Sequence, residues 1–207
     1  MRRIIIGDVH GCADELDKLL EKASPEKTFL IGDLFTKGPD PIGVWQLIQA
    51  HHIQSVLGNH DAFLIKNWAS SSLPASLQRF CETCPEVLAW LQALPLFIND
   101  EDLTIVHAGI HPLLGVPGTT EEMALTMRRF PMDKPKAPFW YDAGWNGPQT
   151  VVFGHDARRG LVRREKDGSP VAIGLDTGCV YGGKLSGWIP EDDKVISIQA
   201  ARIYRPV

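Results

Sequence analysis

The sequence predicts an α/β fold whose functional groups gather at the ends of parallel strands. Short apolar runs rich in β-branched and aromatic residues, typical of buried strands, alternate with stretches that carry apolar residues at helical spacing. Five such runs end at a residue able to bind a metal ion, and four of the five have a glycine directly before that residue. Ligands bind at the carboxyl ends of strands in α/β sheets, so residues far apart in sequence can meet there.

The individual elements follow this alternation along the chain. The five apolar runs are residues 4–6 before Asp8 and His10, 28–31 before Asp33, 53–57 before Asn59 and His60, 103–106 before His107, and 151–153 before His155. Apolar spacing predicts helices at Ala13–Ala23 and Pro41–Ala50, the second with proline in its first turn. A further helix is expected at about 121–129, and two antiparallel strands at 184–190 and 194–200.

Length and composition favour one domain over residues 1–207. A change to serine, proline and then amphipathic sequence predicts a helical insertion at about 70–97, lying over the strand ends. The formal net charge of −4 does not favour duplex nucleic acid as a partner. No apolar run is long enough to span a membrane, and four cysteines are too few for a disulfide scaffold. We therefore expect a cytoplasmic location, and the sequence leaves the oligomeric state open.

The residues at the strand ends have the chemistry of a metal centre. Carboxylate oxygens, imidazole nitrogens and an amide oxygen suit divalent ions such as manganese, iron, zinc, cobalt or nickel. Six such groups exceed the needs of one ion and are enough for two ions that share a carboxylate. A pair of ions about 3.5–4 Å apart activates water and stabilises a phosphoryl group, which indicates phosphoester or phosphoanhydride hydrolysis. The six are Asp8, His10, Asp33, Asn59, His107 and His155.

The same motifs carry a family resemblance over most of the chain. The motifs resemble those of the calcineurin-like metallophosphoesterases, and in particular those of the phosphoprotein-phosphatase superfamily among them: 7–11 (GDVHG), 32–33 (GD), 58–61 (GNHD), 107–109 (HAG) and 154–155 (GH). The resemblance implies a four-layer αββα sandwich with a dinuclear site between the sheet ends, manganese being the first choice of metal. It implies that Asp8 and His10 bind one ion, that Asp33 bridges, and that the other ion is bound by Asn59, His107 and His155.

The second motif departs from the common pattern of that superfamily, GDxVDRG. Thr36 stands where an aspartate would orient His60, and Lys37 stands where an arginine would bind phosphate. These replacements, and the stretches 153–161 and 175–185, resemble the ApaH-like phosphatase branch. Members of that branch are associated with dinucleoside polyphosphates, inorganic polyphosphate and, in some eukaryotes, capped RNA.

The resemblance also implies roles in catalysis. His60, with a pKa near its ordinary value, would protonate the leaving oxygen. Lys37 and Arg128 would neutralise the phosphate, although a solvated arginine at a helix end is the alternative for Arg128.

Three further residues are candidates for substrate contact. Tyr181 is equally well explained as a core residue of a hairpin, and Arg158 as a surface salt-bridging residue. Trp140 lies in the loop before the fifth strand and is expected to line a pocket.

The leading hypothesis is a dinuclear-metal phosphohydrolase that cleaves phosphoanhydride bonds in dinucleoside polyphosphates, with diadenosine tetraphosphate as the type substrate. A nucleotide leaving group needs less protonation than a serine alkoxide, which explains why threonine is tolerated at position 36. One alternative is a serine/threonine or tyrosine protein phosphatase. A second is a metal-dependent binding module without turnover.

Overall fold

Two five-stranded sheets lie face to face between layers of helix in the computed structural model, which describes residues 1–206. In pairing order, the strands of the first sheet are β10 (Lys194–Gln199), β9 (Lys184–Ile189), β1 (Arg3–Ile6), β2 (Lys27–Leu30) and β3 (Gln54–Ser55). Those of the second are β4 (Phe97–Asp100), β5 (Leu103–Val106), β6 (Thr150–Phe153), β8 (Ser169–Gly174) and β7 (Val162–Lys166).

Each sheet has three parallel strands with antiparallel partners beside them. In the first sheet β1, β2 and β3 run parallel, while β9 and β10 pair antiparallel. In the second sheet β5, β6 and β8 run parallel, with β4 and β7 antiparallel at the edges. The parallel strands are the ones that carry polar residues at their carboxyl ends.

Three apolar clusters separate the layers. Ile5 and Phe29 of the first sheet pack against Ile105 and Val152 of the second. Full burial of such side chains stabilises the fold by about 1.5–3 kcal/mol each. Because successive side chains of a strand point to opposite faces, Ile4 and Ile6 face the helices instead. This two-sided burial explains why β1 is apolar from Ile4 to Ile6.

The helical layers are unequal in size. The first sheet is covered by α1 (Ala13–Ala23), α2 (Pro41–Ala50), α3 (Asn59–Lys66), α4 (Ala75–Thr83) and α5 (Glu86–Gln92). The second is covered by α6 (Glu121–Thr126) and the segment that follows it. The predicted αββα sandwich with a helical insertion is therefore confirmed. Within residues 1–206, none of these helices combines the length and the apolar character needed to cross a bilayer.

Several expected elements differ in detail. Helices α1 and α2 have the predicted bounds, whereas α6 ends at Thr126 because Met127 is extended, with φ −70° and ψ 125°. The insertion forms α4 and α5, but these helices join the layer over the first sheet, and only the start of α4 reaches the strand ends. The expectation that the insertion lies over the strand ends is thus largely wrong. Its apolar residues, such as Phe80 and Leu91, are buried in that helical layer.

Candidate active site

The groups expected to bind metal converge on the carboxylate of Asp33. One oxygen of Asp33 lies 3.5 Å from His10 Nε2, and the other lies 3.5 Å from His107 Nε2. Donor atoms of Asp8, Asp33 and His107 all lie within 4.8 Å of one another, and the three residues are buried. Asp33 therefore stands between a histidine of the first sheet and one of the second.

Asn59 completes the second half of this cluster. Its amide Oδ1 lies 2.9 Å from His107 Nε2 and 2.9 Å from His155 Nδ1. The backbone N–H of His155 donates to Asp8 Oδ1 over 3.3 Å, which connects the two halves. The structure thus brings together all six residues that the sequence singles out as ligands.

The backbone at these residues is unusual. His10, Asp33, Lys37 and His155 all have positive φ values, between 47° and 72°, although none is glycine. Such conformations cost of order 1–3 kcal/mol each and cluster at functional sites. The tight turns they form aim side chains from separate strand ends at one point.

The start of α3 is held against the turn after β2. Asp61 accepts hydrogen bonds from the backbone N–H groups of Asp33 (2.7 Å), Leu34 (2.9 Å) and Gly58 (3.1 Å). The N–H of His60 donates to Asp33 Oδ1 over 2.8 Å, so this carboxylate faces a helix N-terminus, where negative charge is favoured. A Cβ at Gly58 would collide with Asp33, which explains the glycine there.

The electrostatics of the cluster show crowded negative groups and neutral rings. Burial raises the pKa of Asp33 to about 7, and burial followed by the charges of Asp176 and Asp33 raises the pKa of Asp8 well above its usual range. Burial and Lys37 lower the pKa of His10 well below its ordinary value, and burial lowers that of His155 to about 2. A divalent cation would offset the repulsion between the carboxylates, and neutral imidazoles are the form that binds metals.

A direct test of metal fit comes from the hydrogen bonds of His107. Its Nδ1 lies 2.8 Å from the carbonyl oxygen of Ile31, so this nitrogen carries the proton. Because burial lowers the pKa of His107, the ring is neutral and its Nε2 presents a lone pair. That lone pair faces Asn59 Oδ1, another acceptor in this orientation of the amide. Two buried acceptors directed at each other fit a cation between them.

Most of the residues expected to contact substrate line one large cleft. The cleft encloses about 1180 Å³, and its lining includes Lys37, Arg128, Arg158 and Tyr181 beside the metal donors. Lys37 Nζ lies 3.1 Å from His10 Nε2 and 5.5 Å from the centre of the Tyr181 ring. Arg128 lies over the carbonyl of His155, with Nη2 3.4 Å from that oxygen. Tyr181 is half-buried in the cleft wall. It packs partly against the core, as a hairpin core residue would, and partly lines the cleft, as a substrate-contacting residue would.

Trp140 lies outside the lining of the large cleft and instead borders a small cavity of about 10 Å³ beside it, which shares Arg128 and Asp176 with the cleft. Its indole is only 1% exposed and packs against Phe153, with ring centroids 5.0 Å apart. Its N–H donates to the carbonyl of Ala108 over 3.0 Å, which satisfies its one polar group inside the core. The loop position suggested exposure, but the loop folds its tryptophan inward under the second sheet.

His60 also differs from its expected state. Burial and the nearby Lys37 lower the pKa of His60 to about 4, so the ring is neutral at pH 7. Thr36 Oγ1 lies 3.3 Å from His10 Nδ1, so the hydroxyl at position 36 contacts His10. The rings of His10 and His60 meet edge to face at 5.2 Å. The expectation of an ordinary pKa for His60 is therefore wrong for this chain.

Sequence reasoning missed Asp176, which also lines the cleft. It follows the carboxyl end of β8, the sixth parallel strand, and is 6% exposed. Burial raises its pKa to about 6, and one of its oxygens accepts the N–H of Gly178 over 3.1 Å. The rule of a polar residue after a strand would have found Asp176, had it been applied to the run at 171–173.

Comparison with known proteins agrees with this architecture. The family model for calcineurin-like phosphoesterases matches residues 1–171. The chain belongs to this family. The family is described as one of phosphoesterases, which argues against a binding module without turnover, and membership implies divalent metal ions.

Individual relatives indicate which members of the family this chain resembles. A protein of Erwinia tasmaniensis named symmetrical bis(5′-nucleosyl)-tetraphosphatase is 30% identical, with 98% of each chain covered. A solved structure described as a candidate diadenosine tetraphosphatase is 38% identical, with a TM-score of 0.82 over 96% of this chain and 93% of the other. The metallophosphoesterase of Sphaerobacter thermophilus shares the fold at 21% identity, with a TM-score of 0.60 over 98% of this chain and 89% of the other.

The alignment with the Erwinia protein extends over 277 positions, whereas this chain has 207 residues. The relative therefore carries inserted segments that this chain lacks.

Proposed function

We propose that this chain hydrolyses phosphoanhydride bonds in dinucleoside polyphosphates, of the diadenosine tetraphosphate type, and in related polyphosphates. The observation that carries the proposal is the charge of the cleft around the donor cluster. Basic side chains outnumber acidic ones in its lining by six to four, although the whole chain has a net charge of −4. Those basic residues are Lys37, Arg128, Arg129, Arg158, Arg159 and Arg205. A chain of several phosphates needs this amount of positive charge, and a single phosphate does not.

The donor cluster supports a pair of divalent ions, with manganese as our first choice and iron, zinc, cobalt or nickel as alternatives. We assign Asp8 and His10 to one ion, Asp33 to both, and Asn59, His107 and His155 to the other. When bound, such ions lower the pKa of water and neutralise charge on a phosphoryl group.

The other side chains of the cleft would bind and orient the substrate. Lys37 and Arg128, on opposite sides of the donors, would hold the non-bridging oxygens of the reacting phosphate. Arg158, exposed further along the same lining, would bind a more distant phosphate. Tyr181 lies beside Lys37 and would fix the direction in which the ammonium points.

The neutral state of His60 favours an anhydride over a phosphoprotein substrate. A serine alkoxide is a poor leaving group and requires a proton from an acid, and an imidazole with a pKa of about 4 is rarely protonated at pH 7 and supplies that proton inefficiently. A nucleoside polyphosphate leaves as a stable anion. For such a substrate the ring N–H of His60 needs only to donate a hydrogen bond to the leaving oxygen.

We also propose a cytoplasmic location. The four cysteines, Cys12, Cys81, Cys84 and Cys179, are all unpaired and buried, as suits a reducing compartment.

The test is a comparison of kcat/KM values with manganese. Diadenosine tetraphosphate, inorganic tripolyphosphate, capped RNA and a phosphoserine peptide would be assayed side by side. We expect the dinucleotide to be hydrolysed fastest and the phosphopeptide at least 100-fold more slowly, about 3 kcal/mol in transition-state stabilisation. Faster turnover of the phosphopeptide would contradict the proposal and support a protein phosphatase.

A further inference from the structure

The lining of the cleft changes character from one part to another. The segments around Arg128 and Arg158 lie at the end of the second sheet and are basic, apart from Phe139, whose ring is in contact with the guanidinium groups of Arg129 and Arg159. On the side of the first sheet, beyond Asn59 and His60 at the start of α3, the lining is apolar and consists of Phe63, Pro74 and Leu77. The donor cluster lies at the strand ends between these two helical layers. A ligand that fills the cleft therefore meets both charged and apolar surface.

Phe63 is the prominent residue of the apolar part. It is 51% exposed, whereas aromatic rings of this chain such as Phe29, Phe35 and Phe80 are fully buried. It lies three residues after His60 in α3, so both side chains project from the same face of the helix. Along the helix axis the two residues are about 4.5 Å apart. The exposed ring is thus close to the position proposed for the reacting phosphate.

We propose that Phe63, supported by Pro74 and Leu77, is the platform on which a nucleobase of the substrate stacks. A nucleotide has a flat apolar base at one end and anionic phosphates at the other, which matches the division of the cleft lining. An inorganic polyphosphate would leave the apolar part uncovered. The inference rests on the proposed function and deepens it by assigning the subsite for the base.

The platform is tested by binding to the metal-loaded protein. AMP and ribose 5-phosphate carry the same phosphate and differ only in the base, so the ratio of their Kd values, measured by calorimetry, isolates the contribution of the base. We expect wild-type protein to bind AMP on the order of tenfold more tightly, the range for stacking of one base on an aromatic side chain. Phe63→Ala should remove that difference and leave the Kd of ribose 5-phosphate unchanged, and Phe63→Trp should keep it.

A matched control is Leu113→Ala. Leu113 is 71% exposed and lies outside the lining of the cleft, so its truncation should leave both Kd values as in wild type. Phe63 has no part in the buried core, and far-ultraviolet circular dichroism would show that the Phe63 variants fold. Kinetics supply a second readout, since Phe63→Ala should raise KM for diadenosine tetraphosphate and leave tripolyphosphate hydrolysis unchanged.

Equal affinities for AMP and ribose 5-phosphate in wild type, or an unchanged ratio in Phe63→Ala, would overturn the platform. So would tighter binding of phenyl phosphate than of AMP, which would indicate an aromatic phosphopeptide instead. The proposed function fails separately, if diadenosine tetraphosphate is not hydrolysed. In that case a base-dependent affinity lost in Phe63→Ala would still establish a nucleotide subsite.

Discussion

His60 is the residue whose chemistry depends most on its surroundings. Burial of its ring and the positive charge of Lys37 keep its pKa at about 4. The imidazole is therefore neutral through the physiological range, and in the proposed reaction it would act by its N–H group. The neutral protonation state of His60 thus bears on which leaving groups the site would favour.

Replacement of His60 tests that role. We expect His60→Ala to lower kcat for diadenosine tetraphosphate by about 100-fold, the loss seen when one hydrogen-bond donor to a developing anion is removed. His60→Gln, which keeps an N–H donor, should recover part of the loss, and the manganese content of both variants should equal that of wild type. If instead glutamine is as harmful as alanine, and wild type alone loses activity as pH rises through 6 to 7, His60 acts by proton transfer.

Asp176 offers a test of the electrostatics without any metal. Its pKa is raised by burial from 3.8 to about 6, so the folded chain favours the protonated acid. Its ionisation therefore destabilises the folded state as pH rises from about 4 to 6, and the full cost persists above that range. Asp176→Asn keeps the oxygen that accepts from Gly178 and removes the charge.

With a chelator present, Asp176→Asn should be up to about 3 kcal/mol more stable than wild type at pH 8 and equally stable at pH 4. Urea unfolding at the two pH values measures this difference. A stabilisation of the same size at both values would show that packing, and not charge, is responsible.

At the scale of elements, the junction between β2 and α3 positions the site. The fully buried Asp61 accepts hydrogen bonds from three backbone N–H groups, two in the turn after β2 and one directly before α3. Asp61→Ala should destabilise the metal-free chain by more than about 2 kcal/mol, since it leaves buried donors unsatisfied. It should also weaken manganese binding, because Asp33 would lose its orientation.

Glu82→Ala, on the exposed face of α4, is the matched control and should change stability by less than about 1 kcal/mol. Denaturant unfolding and manganese titration of both variants provide the measurement. Normal manganese affinity in a destabilised Asp61→Ala would contradict the link between the two segments.

Sequence patterns predict these elements unevenly, for physical reasons. Strands buried on both faces, such as β1 and β5, give largely apolar runs, and the ligands follow them closely. The edge strand β7 (Val162–Lys166) is almost wholly exposed and polar, so it carries no such signal. Trp140 and the state of His60 depend on tertiary packing, which spacing along the chain does not encode. Asp176, by contrast, follows the carboxyl end of a strand, so the same sequence pattern predicts it.

At the scale of the whole molecule, folding and metal binding are linked. The donors come from both sheets, and buried carboxylates repel one another until a cation is bound. Manganese should therefore stabilise the folded chain and raise its melting temperature. At a manganese concentration 100-fold above Kd, the free energy of unfolding should increase by about 3 kcal/mol. Because the pKa of Asp33 is about 7, ions must displace a proton at pH 6 but little at pH 8.

The stabilisation by manganese should thus be larger at pH 8 than at pH 6, as thermal unfolding at both values would show. Asp33→Asn serves as control and should lose most of the effect. A manganese effect that is equal at both pH values would argue against Asp33 as a ligand.

The central claim is that six donors from five of the parallel strand ends hold two cations around Asp33. Anomalous diffraction at the manganese edge, from crystals grown with Mn²⁺, tests it most directly. We expect two peaks about 3.5–4 Å apart, both in contact with the Asp33 carboxylate, one beside His10 and the other beside Asn59 and His107. A single peak, or manganese bound away from Asp33, would contradict the claim.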